Sequence, residues 1–329
     1  MTSTGCAAQL GVYHFEGYLR AASLLEPGGE MHVFRDGRAL IPLIVRRLPE
    51  GFGPGFDAIS PYDFSGPLLN GESPGEVWGA LSKWVRARKI IAAFLRFHPL
   101  CGGSEAWEGL EGLEVVHSAD NVVVELSNMG ATSARFKPQV LRDLKVARRA
   151  GVRCTVENGG AQGMGAFVPL YWASMARLGA EAYYRFPREF FESLVAGVGE
   201  DLKLASATID GEPASAALLL VEDKTVFYYL ACSSDLGRKS CAMNMLVVES
   251  ALWAHEMGYK RFHLGGGSPT LRHFKERFGP GRVPYYVGRA VFDARRYAEL
   301  SEGVSKGFFP AYRAKWVGST TQASSSGIT

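Results

Sequence analysis

Residues Leu202–Glu222 read LKLASATIDGEPASAALLLVE, and residues Met31–Arg47 read MHVFRDGRALIPLIVRR. Each is a β-rich run, an Asp-Gly pair and a second β-rich run, which is the pattern of a hairpin. Outward from each hairpin the same elements recur in the same order. A helix-period segment follows, EVWGALSKWVRARK from Glu76 or NMLVVESALWAHEMG from Asn244. Then comes a strand carrying one shared tripeptide, Arg96-Phe97-His98 or Arg261-Phe262-His263. One tripeptide recurs by chance, but hairpin, helix and strand in matching order point to a duplicated α/β unit. The second copy is the fuller one. It adds a strand at Val152–Val156, helices around Phe167–Leu178 and Pro187–Val195, and a strand at Val226–Ala231. A helix over Asn244–Met257 and a strand over Arg261–Leu264 complete it.

The chain has 329 residues, 47% of them hydrophobic, which is enough for two cores of ordinary domain size. A net charge of +3 excludes a polycation that coats nucleic acid along its whole surface, so anion binding has to be local. No apolar run approaches the ~20 residues that span a bilayer, and the opening MTSTGCAAQLGVYHF lacks the regions of a signal peptide. The expectation is a cytoplasmic chain without membrane insertion. Its cysteines, Cys6, Cys101, Cys154, Cys232 and Cys241, are odd in number and without CxxC spacing. That argues against a disulfide framework or a zinc site and for reduced packing residues, with no metal expected. The tail TQASSSGIT reads as a frayed terminus.

A loop between a strand and a helix N-terminus is where a pyrophosphate sits on free backbone N–H groups. Here that loop is Cys232–Cys241, CSSDLGRKSC, with one glycine, Gly237. Arg238 and Lys239 in it suit either a phosphate or plain solvation. The Gly-x-x-x-x-Gly-Lys-Ser/Thr pattern of a P-loop is absent.

The order of elements resembles that of the GNAT acetyltransferase superfamily, whose enzymes grip coenzyme A with a Q/R-x-x-G-x-G/A loop at this point. Taken whole, the chain is more similar to the Fem family of aminoacyltransferases. The residues that carry the resemblance are Gly66-Pro67, Tyr228-Tyr229, Glu249–Gly258, Gly266, Phe274-Lys275 and Phe278-Gly279. Ser65 and His263 stand where that family commonly has Arg and Asp. The resemblance implies an α/β (α+β) fold of two tandem GNAT-like domains, each a mixed twisted sheet flanked by helices. We place the first at residues 1–128, with 300–329 packing back on it, and the second at 129–299. It also implies transfer of an amino acid from aminoacyl-tRNA to the amine of a peptidyl acceptor, a peptidoglycan precursor or a natural-product peptide. The aminoacyl-tRNA is the co-substrate, and no other cofactor is implied.

Such a reaction needs positioned substrates and a fixed cation rather than a covalent enzyme intermediate. The resemblance gives that cation as Lys275, at the oxyanion or at a terminal phosphate; with Phe274 it forms the catalytic candidate. Phe278, grouped with the substrate residues, and Phe274 can anchor the segment by burial. Gly266 and Gly267 suit a loop that needs positive φ or close backbone approach, and equally a strand end that leaves room for the acceptor arm of the RNA; the two readings are compatible. Tyr184, Arg185 and Tyr229 are further substrate-binding candidates. In the segment Arg135–Arg153, seven cations face one acid, Asp143, and Arg142, Lys145 and Arg149 share a helix face. That face, with Arg238 and Lys239, suits tRNA or solvation equally. His263 and His98 read as general bases or as structural residues, and Cys232 and Cys241 as fillers. Two other functions remain compatible with these residues: an acyl-CoA-dependent N-acyltransferase and a non-catalytic RNA-binding module.

Overall fold

The computed structural model describes residues 10–37, 39–127, 136–180, 182–304 and 307–314; Cys6, Arg135 and the tail lie outside them. The chain divides into two compact units, Met1–Ala119 with Pro284–Ser326, and Asp120–Val283 with the last three residues. In chain order the first stretch holds α1 (Glu16–Ser23), β1 (Glu30–Asp36), β2 (Ala39–Arg47), β3 (Phe56–Ile59), α2 (Pro74–Ala87) and β4 (Ile90–Arg96). Strand β5 (Leu113–Glu125) begins in unit 1 and ends in unit 2. Unit 2 continues with α3 (Pro138–Arg149), β6 (Arg153–Asn158), α4 (Ala161–Arg177), α5 (Arg188–Val198), β7 (Leu202–Ile209), β8 (Glu212–Glu222) and β9 (Thr225–Ser233). Then follow α6 (Asp235–Lys239), α7 (Ala242–Glu256), β10 (Arg261–Gly265) and α8 (Pro269–Lys275). Strand β11 (Gly281–Val291) returns the chain to unit 1, which ends with α9 (Ala294–Ser301).

Unit 1 has the strand order β1-β2-β3-β4-β11 and unit 2 the order β5-β10-β9-β8-β7-β6. In each, a hairpin leads antiparallel into a third strand, and a helix crosses over to a parallel fourth. An antiparallel strand closes each unit, β11 on β4 and β5 on β10. The mixed sheets and flanking helices are those expected from the sequence. The division differs: the units part at 119/120 and 283/284, not at 128/129 and 299/300. The cause is that β5 and β11 each cross over, so each unit is closed by a strand end lying outside its own repeat.

Asp-Gly marks both hairpins but at different positions. In β7–β8 Ile209 faces Glu212, and Asp210 (φ 50°) and Gly211 (φ 86°) form the turn, as a type I′ turn requires. In β1–β2 Asp36 is itself paired with Ala39, and the turn starts one residue later at Gly37 (φ 56°). The shared tripeptide is not equivalent either. The parallel pairing starts at Phe56↔Ile90 in unit 1 and at Thr225↔Arg261 in unit 2, so Arg96 ends β4 whereas Arg261 begins β10. The duplication lies in the order of elements, and the tripeptide is a coincidence.

Each unit has its own core. In unit 2, Val122, Val226 and Phe262 of the sheet meet Val140, Leu144 and Ala147 of α3 and Leu246 and Ala251 of α7. Full burial of each larger side chain stabilises by about 1.5–3 kcal/mol. In unit 1, Asp57 on β3 has no exposure and receives Arg46 (2.9 Å), the Tyr312 hydroxyl (3.2 Å) and the Arg313 guanidinium. Arg46 also pairs with Glu26 at 2.8 Å. Burial opposes the Arg46 charge, but Asp57 and Glu26 outweigh it and raise its pKa. The described end of the chain is thereby tied to β3.

Candidate active site

In unit 2 the parallel strands part early. Strands β9 and β10 pair from Thr225↔Arg261 to Phe227↔His263, but β9 runs on against β8 to Ser233. On its other side β10 shifts register against β5 between His263 and Gly265. The opening lies at the carboxyl ends of parallel strands, the usual place for a ligand in such sheets.

The segment that leaves β10 at this opening carries the lysine. Gly265 turns the chain at φ 73°, and the Ser268 hydroxyl caps α8 by accepting the Leu271 N–H at 3.4 Å. One short helix later, Lys275 lies buried and its Nζ donates to the Gly266 carbonyl at 2.6 Å. The aromatic neighbours fix this geometry. Phe274 packs on the unit 2 core, and Phe278 is 1% exposed with its ring 5.2 Å from that of Phe274 and 6.3 Å from that of Phe136. Phe278 is therefore an anchor beneath the segment, which corrects its assignment to substrate.

The glycines meet the first of the two readings, positive φ at Gly267 (124°) and close approach at both. A Cβ on Gly266 would lie 2.8 Å from Asn121 Oδ1, and one on Gly267 2.7 Å from Leu271 Cδ2. The room beside their Cα atoms is taken by the side chains of Asn121 and Leu271. Asn121, on β5, is 2% exposed, and its Nδ2 has no hydrogen-bond partner among the described residues. A buried amide left in that state costs about 1–3 kcal/mol, which marks this position as one the sequence reading missed. An Asn inside SADNVVVE reads as a strand interruption, so its signal was present but ambiguous.

On α3, Arg142, Lys145 and Arg149 are exposed together as expected. Asp143 turns inward, taking a 2.6 Å hydrogen bond from Gln139, so the outer face bears cations without an acid. Arg238 and Lys239 are exposed on α6, but Arg238 lies 3.7 Å from Asp235, which Arg177 also approaches at 3.8 Å. Two of the loop's amides are committed internally: the Gly237 N–H goes to the Ser234 hydroxyl at 3.1 Å and the Arg238 N–H to the Ser234 carbonyl at 3.0 Å.

Tyr184 is half-buried, its carbonyl taking the Tyr171 hydroxyl at 2.6 Å, while Arg185 beside it is exposed. Tyr229 is buried on β9, away from the exposed Arg185 in solvent access. His263 is 1% exposed with its ring 4.9 Å from that of Phe227, a packed position. Burial pushes the Cys232 thiol up to about 12, so it is the neutral thiol at physiological pH and no nucleophile.

The model of the Acetyltransferase (GNAT) domain family matches residues 134–276. Among solved structures, FemX superposes with a TM-score of 0.63 over 88% of this chain and 96% of its own, at 14% identity. L-PGS from Bacillus licheniformis gives 0.60 at 14% identity over 83% of this chain and 87% of its own. The C-terminal domain of a putative lysylphosphatidylglycerol synthetase from Agrobacterium fabrum gives 0.58 at 20% identity over 82% and 87%. No curated protein sequence matches. Residues 134–276 thus match a GNAT domain, and the chain shares its fold with these transferase structures. In fold it is like FemX. No helix among the described residues is long and apolar enough to cross a membrane.

Proposed function

We propose that the protein transfers an amino acid from aminoacyl-tRNA to the amine of a peptidyl acceptor. The observation that carries this reading is the buried Lys275 ammonium held on the Gly266 carbonyl at the parted strands. The neutral acceptor amine attacks the ester carbonyl, and the C–N bond forms. The tetrahedral oxyanion then collapses; the ribose oxygen leaves with the electrons of the C–O bond and gains a proton, while the nitrogen loses one. A fixed cation stabilises that oxyanion or the terminal phosphate without reorganising. One further feature favours RNA over coenzyme A: the acid-free outer face of α3. The acceptor remains of the class named, a peptidoglycan precursor or a natural-product peptide, with reaction in the cytoplasm.

The test incubates the protein with charged tRNA or with acyl-CoA, each with peptide amines, and reads products by mass spectrometry. Aminoacylated peptide from charged tRNA is expected. Transfer from acyl-CoA alone would overturn the reading.

A further inference from the structure

Next to the lysine segment, within unit 2, an open depression of about 360 Å³ is lined by Lys137, Glu276, Gly279, Pro280 and Arg282. Its floor is set by close backbone approach. A Cβ on Gly281 would lie 2.4 Å from the Val123 carbonyl, so only glycine lets residues 279–281 lie against β5. Arg282 folds back over this turn. Its Nη1 donates to the Gly281 carbonyl at 3.0 Å and the Gly279 carbonyl at 3.4 Å, and its Nη2 lies 3.1 Å from Glu276. The guanidinium is thus held in place by both of its terminal nitrogens.

Glu276 does not neutralise the site, because it is shared with Arg272 at 3.9 Å. Three cations, Lys137, Arg272 and Arg282, face this one acid, a local surplus of two positive charges. Lys137 is fixed through its backbone N–H, which donates to the Arg277 carbonyl at 3.0 Å, while its side chain is exposed and pairs with no acid among the described residues. Lys137 also immediately precedes α3, so the depression continues the cationic face of that helix.

We infer that this depression is a phosphate-ester subsite in which Lys137 and Arg282 hold one phosphate. A point charge and an immobilised guanidinium from two elements are the pair suited to a phosphate oxygen cluster. The phosphate comes from an RNA backbone if the function proposed above holds, and from coenzyme A if it does not. The subsite rests on that reading only for its source.

The test measures binding of a CCA-ended acceptor-stem RNA hairpin and of coenzyme A to the full chain. It compares wild type with Lys137→Gln, Arg282→Gln and Arg282→Lys, each checked for an unchanged melting temperature. Lys137 is exposed, so its variant keeps the result interpretable if Arg282 variants fold poorly. The expected result is an RNA affinity about tenfold lower for Lys137→Gln, with a salt slope reduced by about one. Arg282→Lys should fall between wild type and Arg282→Gln. The same losses on coenzyme A, with no RNA binding, would keep the subsite and overturn the aminoacyl-tRNA function. RNA binding equal in wild type and Lys137→Gln would overturn the subsite and leave that function standing. Binding of neither probe by wild type would overturn the subsite as well.

Discussion

The two units end their parallel strand pairs in opposite ways. In unit 1 the end is closed: Ser60 N–H bonds the Phe94 carbonyl at 2.8 Å, and the Arg96 guanidinium bonds the Ser60 carbonyl at 2.5 Å. A Cβ on Gly66 would lie 1.7 Å from the Arg96 carbonyl, so the loop before α2 is pressed onto β4 itself. In unit 2 the corresponding glycine, Gly237, is pressed onto β8, its Cβ position 1.9 Å from the Ala214 carbonyl. That loop leans away from β10, and the end of the β9/β10 pair stays open. Where unit 1 spends a buried arginine on closing the sheet, unit 2 has Gly265–Gly267 and Lys275. One element order therefore yields one closed strand end and one open one, and the difference resides in residues that the repeat does not share.

The sharpest way to break this comparison is to exchange the roles. Asp57→Asn leaves Arg46 and Arg313 facing a neutral amide with no exposure, and removing one partner of such a network costs about 3–5 kcal/mol. A urea titration should show that loss, with turnover per folded molecule unchanged. A large drop in turnover at constant stability would place chemistry in unit 1. Lys275→Met should do the reverse, lowering kcat by about a hundredfold to a thousandfold, as loss of one preorganised donor does. Unchanged kcat would remove Lys275 from the reaction.

Much of this contrast was legible before the fold was known. The hairpins and α7 announce themselves by period and by Asp-Gly, and Phe274 and Phe278, four residues apart, correctly signalled a lysine seated between a half-buried and a buried ring. The shared Arg-Phe-His supported the right conclusion for the wrong reason, since it falls at opposite ends of β4 and β10. The exchange of β5 and β11 was not legible, because strand pairing over a long separation leaves no local pattern: Arg261 bonds Glu125 across 136 residues. Asn121 was missed on the same account. Its meaning depends on a glycine that reaches it only through the β5–β10 pairing.

Burial sharpens the comparison further at the end of β9. Cys232 has a folded pKa of about 12, raised by burial, against about 9 in the unfolded chain. Above pH 9 the unfolded chain therefore holds fewer protons than the native one, so stability falls as pH rises from 9 to 12 and is unaffected below. At pH 10.5 this thiol should cost about 2 kcal/mol relative to pH 7. Cys232→Ala should remove that increment from urea midpoints measured at the two pH values while leaving turnover at pH 7 intact. Lost turnover would instead make the thiol part of the chemistry.

The smallest expected effect separates the units by charge. Arg142→Glu with Lys145→Glu alters the acid-free face of α3 in unit 2, and Arg86→Glu with Lys89→Glu alters an exposed pair in unit 1. If RNA tracks α3, the first double variant should weaken hairpin binding and lower the log–log salt slope by roughly one and a half to two, two phosphate contacts being lost. The second should leave both quantities at wild-type values, since net charge changes equally and only position differs. Equal losses from the two pairs would mean that the whole molecule's field, not a helix face, attracts the RNA. In that case the contrast between the units would stop at the parted strands.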